Sequence, residues 1–146
     1  MQLQSFRKMI FVLMGVLLLT VSCVYAQTAE EYVSLAIANI NHGDLTQAIS
    51  NCDKAIEINP RYAPAYNFRG FAYYQQGRFY QAIPNFTKAT EINPAYVEAY
   101  NYCGLSYLLV KDYDSAWLVV HKIEKLGNVV NPDLLNALKK ESGREK

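Results

Sequence analysis

The chain repeats itself at a fixed interval. The tetrapeptide Glu-Ile-Asn-Pro occupies 57–60 and occurs again at 91–94. Self-similarity at a fixed period of about 20–50 residues is typical of chains built from stacked structural repeats. The sequence therefore predicts a solenoid rather than a fold with one central core. Other residues that recur in this register are Gly43 and Gly77; Ala55 and Ala89; Gly70 and Gly104; Tyr73 and Tyr107; Tyr32, Tyr66 and Tyr100; Ala48, Ala82 and Ala116.

One period, 63–96, has the pattern of two helices joined by a tight turn. Apolar and small residues from Ala65 onward recur at spacings of three and four, which is the spacing of one helix face. Gly77 interrupts this stripe, because glycine reaches the left-handed backbone conformation that ends a helix. A second stripe begins at Phe79, and Pro94 then blocks further helix. The period predicts a helix, a turn, a second helix and a stop.

The sizes of the residues within a period predict how its two helices pack. Gly70 and Ala82 lack bulk where two antiparallel helices would cross closely. We expect Ile58 and Ile92 to be the last core residues of the second helices. One hairpin cannot bury its apolar face alone, so about three copies are needed for a stable stack. The large residues expected to fill the space between the helices are Tyr66, Tyr73, Phe79 and Phe86.

The central copy carries a set of aromatic, small and terminating residues, namely Tyr66, Gly70, Tyr73, Gly77, Ala82, Phe86, Ala89 and Pro94. This set resembles the tetratricopeptide repeat, whose pattern has the same residue types in the same places. The resemblance extends over 29–62, 63–96 and 97–130. It implies an all-α fold, a right-handed solenoid of three antiparallel helix pairs. Domains of this family are binding modules rather than enzymes.

The outer copies depart from the central pattern, as terminal repeats of solenoids commonly do. The first has Ala36 where the others have glycine. The third has Lys111 in place of the turn glycine and Ile123 in place of a small residue. After the third copy, Asn131 is a suitable cap because a proline follows it at the first helical position. We expect 131–146 to form a helix and tail that shield the open end of the stack; the alternative is a helix that binds a partner.

The resemblance implies that the first helix of each repeat lines a concave groove, which takes an extended peptide or a helix of another protein. Asn67 and Asn101 occupy the same position in successive repeats, and each amide offers donors and an acceptor. We expect these amides to hydrogen-bond the backbone of an extended ligand; the alternative is that both are solvated. The implied groove residues are Val33, Ile37, Ile40, Asn67, Phe71, Tyr74, Asn101, Leu105 and Leu108.

Some members of the family bind the carboxylate end of chaperone tails with lysine, arginine and asparagine in this groove. The resemblance places five other residues at the corresponding positions, Val33, Ile37, Phe68, Glu98 and Tyr102. None of them is a cation that pairs with a carboxylate. The partner is therefore expected to be something other than a chaperone tail.

Composition and motifs argue against several classes of function. The chain has 14 basic and 13 acidic residues, so it lacks the electrostatic footprint of a nucleic-acid-binding protein. No metal-ligand motif, phosphate-binding glycine loop or nucleophile with a plausible base occurs, so we expect neither an enzyme nor a cofactor. Cys52 and Cys103 fall in apolar stripes, and we expect them to be buried and free. Self-association through the groove or an open stack end is the alternative to a partner protein.

The segment 1–26 differs in kind from the repeats. Arg7 and Lys8 precede an apolar run that ends in small residues up to Ala26. This order is typical of a secretory signal peptide, and it predicts a periplasmic or secreted protein cleaved after Ala26. One alternative is an uncut membrane anchor, although the run is shorter than the roughly 20 apolar residues that span a bilayer. The other is lipidation of Cys23, whose flanking residues loosely resemble a bacterial lipobox.

Cleavage after Ala26 makes a direct prediction about the exported protein. Its N-terminus should be Gln27, and Cys23→Ala should leave its maturation unchanged, because the small-residue end is what the peptidase recognises. Mass analysis of the N-terminal peptide checks both statements. An acylated Cys23 at the N-terminus would contradict them.

Overall fold

Residues 27–144 of the computed structural model form seven helices and no strand. The helices pack as three antiparallel pairs, α1 with α2, α3 with α4 and α5 with α6, and α7 lies against the third pair. The predicted all-α stack of three helix pairs with a terminal helix is confirmed. The bounds are α1 Ala29–Asn41, α2 Leu45–Ile58, α3 Ala63–Gln75, α4 Phe79–Ile92, α5 Val97–Leu109, α6 Tyr113–Lys125 and α7 Pro132–Ser142.

The glycines within the first helices mark the closest approaches of the stack. A Cβ atom added at Gly70 would lie 2.9 Å from Cε1 of Phe86, whose side chain is wholly buried in α4. The predicted close crossing of the second pair is therefore confirmed. A Cβ atom at Gly104 would lie 2.7 Å from Cδ2 of Leu134. The glycine of the third repeat thus makes room chiefly for the terminal helix.

Helix α7 covers the end of the third repeat. Leu134 and Leu138 are wholly buried, and they join a cluster with Val120 and Ile123 of α6. The helix begins at a cap, where the Oδ1 atom of Asn131 accepts a hydrogen bond of 2.8 Å from the backbone N–H of the second helical residue. Burying large apolar side chains removes the end of the stack from water, which is the role expected of a terminal cap.

The recurring Glu-Ile-Asn-Pro segment forms the turn between repeats. The Oδ1 atom of Asn59 accepts a hydrogen bond from the backbone N–H of Arg61 at 3.1 Å, and Asn93 accepts one from Ala95 at 3.1 Å. The expectation that Ile58 is a core residue is wrong, because 51% of it is exposed. It is the last residue of α2, and the neighbouring helices leave it uncovered. The shared structural role of the repeated motif is therefore the hydrogen-bonded turn at its asparagine, more than core packing by its isoleucine.

Both cysteines of the described residues are buried and free. Burial raises the pKa of the Cys52 thiol to about 12 and that of the Cys103 thiol to about 11. The thiolate is the reactive form, so both groups are chemically quiet at neutral pH. They act as small apolar residues of the helix interfaces, as their place in the apolar stripes predicts.

None of the helices in 27–144 combines the length and the apolar character that a membrane crossing needs.

The turn between α5 and α6 contains a strained residue. Lys111 has φ 62°, and the equivalent Gly43 and Gly77 have φ 78° and 73°. Lys111 and Gly77 donate equivalent backbone hydrogen bonds, to Leu108 and Tyr74 respectively. The left-handed conformation costs a residue with a side chain roughly 1–2 kcal/mol, whereas glycine adopts it without that cost.

Lys111→Gly should therefore raise the free energy of unfolding, by about 1 kcal/mol after the extra freedom of glycine in the unfolded chain is subtracted. Urea unfolding followed by circular dichroism measures the change. The matched control is Gly77→Lys, which should destabilise by a similar amount, because no atom obstructs a Cβ there and only the backbone is strained. A Lys111→Gly variant no more stable than the parent would contradict the argument.

Candidate functional site

The groove is defined here as the surface that α1, α3 and α5 form together. Each of these helices contacts the next, so equivalent positions in the three repeats lie side by side. Val33 and Asn67 are buried, which leaves them little surface to offer a ligand in this state. The ligand-binding role of all nine residues stays a prediction. The other seven are half-buried, and they are Ile37, Ile40, Phe71, Tyr74, Asn101, Leu105 and Leu108.

Aromatic side chains join α3 to α5 within the groove. The ring of Tyr102 lies edge-on to Phe71 at a centroid distance of 4.9 Å and to Tyr74 at 5.5 Å. Tyr74 also meets Phe79, the first residue of α4, at 5.5 Å. Burial raises the pKa of the Tyr74 and Tyr102 hydroxyls, so both stay protonated and able to donate hydrogen bonds. The arrangement is a wall of aromatic rings that presents the hydroxyl groups of Tyr74 and Tyr102.

Asn67 lies at the centre of this surface, and its amide has no hydrogen-bond partner. The residue is wholly buried, and neither Oδ1 nor Nδ2 forms a hydrogen bond. The Tyr96 hydroxyl is nevertheless near: its interaction with the Asn67 amide, looser than a formed hydrogen bond, lowers the pKa of Tyr96 against the larger effects of burial and Glu98. The alternative that both groove asparagines are solvated is therefore wrong for Asn67. A buried amide without a partner costs about 1–3 kcal/mol, so its presence calls for a reason.

Asn101 has the same position in the next repeat and a different environment. Its Oδ1 atom accepts a hydrogen bond of 3.1 Å from the backbone N–H of Asn131, the cap residue of α7. The equivalent donor for Asn67 would be the N–H of Val97, which lies one repeat period before Asn131. That N–H instead donates to the carbonyl of Ala95 at 2.9 Å. One amide therefore fixes the terminal helix, and the other is left unpaired.

Two residues that the sequence analysis did not assign to the site lie next to the groove. Tyr62 and Tyr96 are the last residues of the first and second repeats, and their recurrence at the repeat interval was a usable signal. Burial first, and then the carboxylate of Glu30, raises the pKa of Tyr62. Burial first, and then Glu98, raises the pKa of Tyr96. The charged groups acting on these hydroxyls are acidic.

Glu98 borders a cleft at the third repeat. The cleft is open and has a volume of about 490 Å³. Glu98 also raises the pKa of the Tyr102 hydroxyl, after the larger effect of burial. The residues lining the cleft are Glu98, Asn101, Tyr102, Leu105 and Asn131. A carboxylate, two amides and a phenol thus line the cleft together with the apolar side chain of Leu105.

Several cations of the repeats are engaged elsewhere. The guanidinium of Arg69 forms a salt bridge of 2.6 Å with Asp53 of α2 and a hydrogen bond of 2.7 Å to Asn85 of α4. Lys88 pairs with Glu91 along α4. Three further contacts place a cation over an aromatic ring, and these are Lys54 over Tyr32, Arg69 over Tyr66 and Arg78 over Tyr73.

No group of three or more histidine, cysteine, aspartate or glutamate side chains in 27–144 has the geometry of a metal site.

Comparison with known proteins identifies the family. Residues 63–96 match the tetratricopeptide repeat, and 41–77 match a second model of the same repeat. Residues 41–96 are therefore tetratricopeptide repeats, and solved structures similar to the chain include several tetratricopeptide domains. Among curated proteins, no sequence matches the chain.

Three solved structures illustrate the similarity. The Sgt2 tetratricopeptide domain from Aspergillus fumigatus is 24% identical, with a TM-score of 0.70 over 79% of this chain and 77% of that one. The first such domain of Spaghetti (RPAP3), bound to the HSP90 peptide SRMEEVD, is 22% identical, with a TM-score of 0.71 over 79% of this chain and 90% of that one. MamA is 28% identical, with a TM-score of 0.63 over 80% of this chain, which spans only 62% of MamA.

Because the amide of Asn67 lacks a close hydrogen-bond partner, replacing it with an apolar side chain should stabilise the protein. Asn67→Leu keeps the shape of the side chain and removes two buried polar atoms, so it should raise the free energy of unfolding by about 1 kcal/mol. Asn101→Leu is the matched control, and it should lower stability because the N–H of Asn131 loses its acceptor. Urea unfolding of the two variants and the parent is the measurement. A destabilised Asn67→Leu variant would show that the amide is paired in solution.

Proposed function

We propose that the protein is an interaction scaffold of the cell envelope or secreted space, which binds an extended peptide or a helix of another protein along the groove. The observation that carries the proposal is the continuity of half-buried apolar and aromatic side chains from α1 to α5. Ile37, Phe71 and Leu105 mark one line of equivalent positions across the three repeats. Such a stripe offers an elongated partner contacts on every repeat.

The solved neighbours support a peptide as the ligand. The Spaghetti domain covers most of the same fold and holds the peptide SRMEEVD. That ligand belongs to that protein, and the likeness at 22% identity concerns the fold. What transfers is that a stack of this size accommodates a short peptide.

The charges of the groove favour a ligand other than an acidic tail. At the five positions where the family resemblance implies a carboxylate clamp, this chain has four uncharged residues and Glu98. An acidic peptide would bring like charges together at Glu98, which is unfavourable.

The place of action rests on the segment 1–26, which lies outside the described part of the chain. Its charged, apolar and small-residue order supports export as a periplasmic or secreted protein. Membrane attachment through an uncut signal or through Cys23 remains the alternative location. Removal of Arg7 and Lys8 with the signal leaves 12 basic and 13 acidic residues.

The second candidate function is self-association as a structural component anchored as a lipoprotein. It is favoured by exposed apolar side chains outside the groove. Tyr80 is 78% exposed, Leu118 70% and Val129 85%. Large exposed apolar residues commonly mark surfaces that pair with another protein, including a second copy.

Site-specific photo-crosslinking separates the two candidates. A benzophenone amino acid placed at Leu105 or Leu108 of the exported protein should capture a second, different protein, because both side chains line the groove. The same group at Tyr80 or Leu118 is the matched control, and it should give little of that product. A product with the mass of a dimer, formed mainly at Tyr80 or Leu118, would contradict groove binding and favour self-association.

A further inference from the structure

Two carboxylates stand at equivalent places at the two ends of the groove. Glu30 of α1 and Glu98 of α5 are separated by two repeat periods, so they occupy the same position in the first and third repeats. The middle repeat has Pro64 there. Both carboxylates are exposed, and neither forms a salt bridge within 27–144. They are available to a cation from outside the domain.

Two tyrosine hydroxyls lie within the electrostatic field of these carboxylates. Glu30 acts on the hydroxyl of Tyr62, and Glu98 acts on that of Tyr96. The two hydroxyls are also within electrostatic range of each other. Carboxylates form strong charge-assisted hydrogen bonds with arginine and lysine, and tyrosine rings attract the same cations.

The buried amide of Asn67 belongs to α3, the helix between those of the two carboxylates. Neither its Oδ1 nor its Nδ2 atom forms a close hydrogen bond, and the amide interacts only loosely with the Tyr96 hydroxyl. A peptide main chain presents the complementary donor and acceptor. Rotation of the Tyr96 side chain away from Asn67 would let such a main chain reach the amide. A ligand main chain would give the amide the close hydrogen bonds that it lacks in this state.

We propose that the groove binds an extended peptide with two basic side chains about five to six residues apart, one at Glu30 and one at Glu98, whose main chain pairs with Asn67. The inference rests on the proposed groove-binding function and adds the chemistry of the partner. Neighbouring helices pack about 8–10 Å apart, so the two carboxylates are roughly 16–20 Å apart across two helix spacings. An extended chain advances about 3.3 Å per residue, which gives a spacing of about five to six residues.

The test uses three fluorescein-labelled peptides of equal length in a glycine-serine background. The first has two arginines at the proposed spacing, the second has two glutamates at those places, and the third has two adjacent arginines. Fluorescence anisotropy with the full-length protein should show that the spaced arginine peptide binds at least about tenfold more tightly than the glutamate peptide. The adjacent pair should bind more weakly than the spaced pair, and added salt should weaken both.

Variants of the protein locate the site. Glu98→Gln keeps the size of an exposed side chain and removes its charge, so it should lower the affinity for the spaced arginine peptide about tenfold. Glu57→Gln is the matched control, because it removes the same charge from an exposed position on α2 and should leave affinity unchanged. Asn67→Leu should also weaken binding, although it is expected to fold more stably. Thermal melts of all variants confirm that each is folded.

Equal binding of the arginine and glutamate peptides would overturn the proposal. Equal losses of affinity in Glu98→Gln and Glu57→Gln would also overturn it, because they would indicate attraction to net charge alone. Unchanged affinity in Asn67→Leu would remove the main-chain contact and overturn that part. These outcomes can be distinguished from a failure of the proposed groove-binding function. A groove that captures a protein in photo-crosslinking but rejects the arginine peptide would still be a binding groove, with a partner of other chemistry.

Discussion

The contact between Gly70 and Phe86 is the constraint on which the rest of the stack depends. The absent side chain at Gly70 lets α3 and α4 approach until the Phe86 ring lies against the backbone. Phe86 in turn stacks on Tyr102 at a centroid distance of 5.8 Å, which links the second repeat to the third. Tyr102 then contacts Phe71 and Tyr74 in the groove. A larger residue at position 70 would therefore disturb both the helix crossing and the groove, because interiors are close-packed.

Much of the fold was predictable because its signals are local. Helix spacing, the turn at Gly77 and the stop at Pro94 each depend on a few adjacent residues. The environment of Ile58 was not predictable in that way, because its exposure depends on how far neighbouring helices extend. Lys111 is an intermediate case, since the repeat register identifies the turn and the structure shows that lysine adopts its left-handed conformation.

The site was less predictable than the fold, because identical letters at equivalent positions have different partners. Asn67 and Asn101 are the same residue in the same register, and each faces the start of the helix that follows its repeat. Asn101 accepts a hydrogen bond there from the backbone N–H of Asn131, whereas the N–H of Val97 donates to the carbonyl of Ala95. The two amides thus differ in the backbone group that stands at the equivalent place in the next repeat. Comparison of the repeats in the sequence identifies the two asparagines as equivalent, but it cannot tell which of them has a hydrogen-bond partner.

The distribution of charge also shows why net charge says little about a binding face. The whole chain is close to neutral, with a formal charge of +1. Lys54, Arg69 and Arg78 nevertheless lie over tyrosine rings of the helix pairs, while Glu30 and Glu98 border the groove with no ion-pair partner in the described residues. Cations engaged within the scaffold, and carboxylates beside the groove without an ion-pair partner, are the charges on which the proposed preference for basic ligands rests. A buried amide without a close hydrogen-bond partner costs stability, and departures of this kind from a fold's local rules are expected at functional sites.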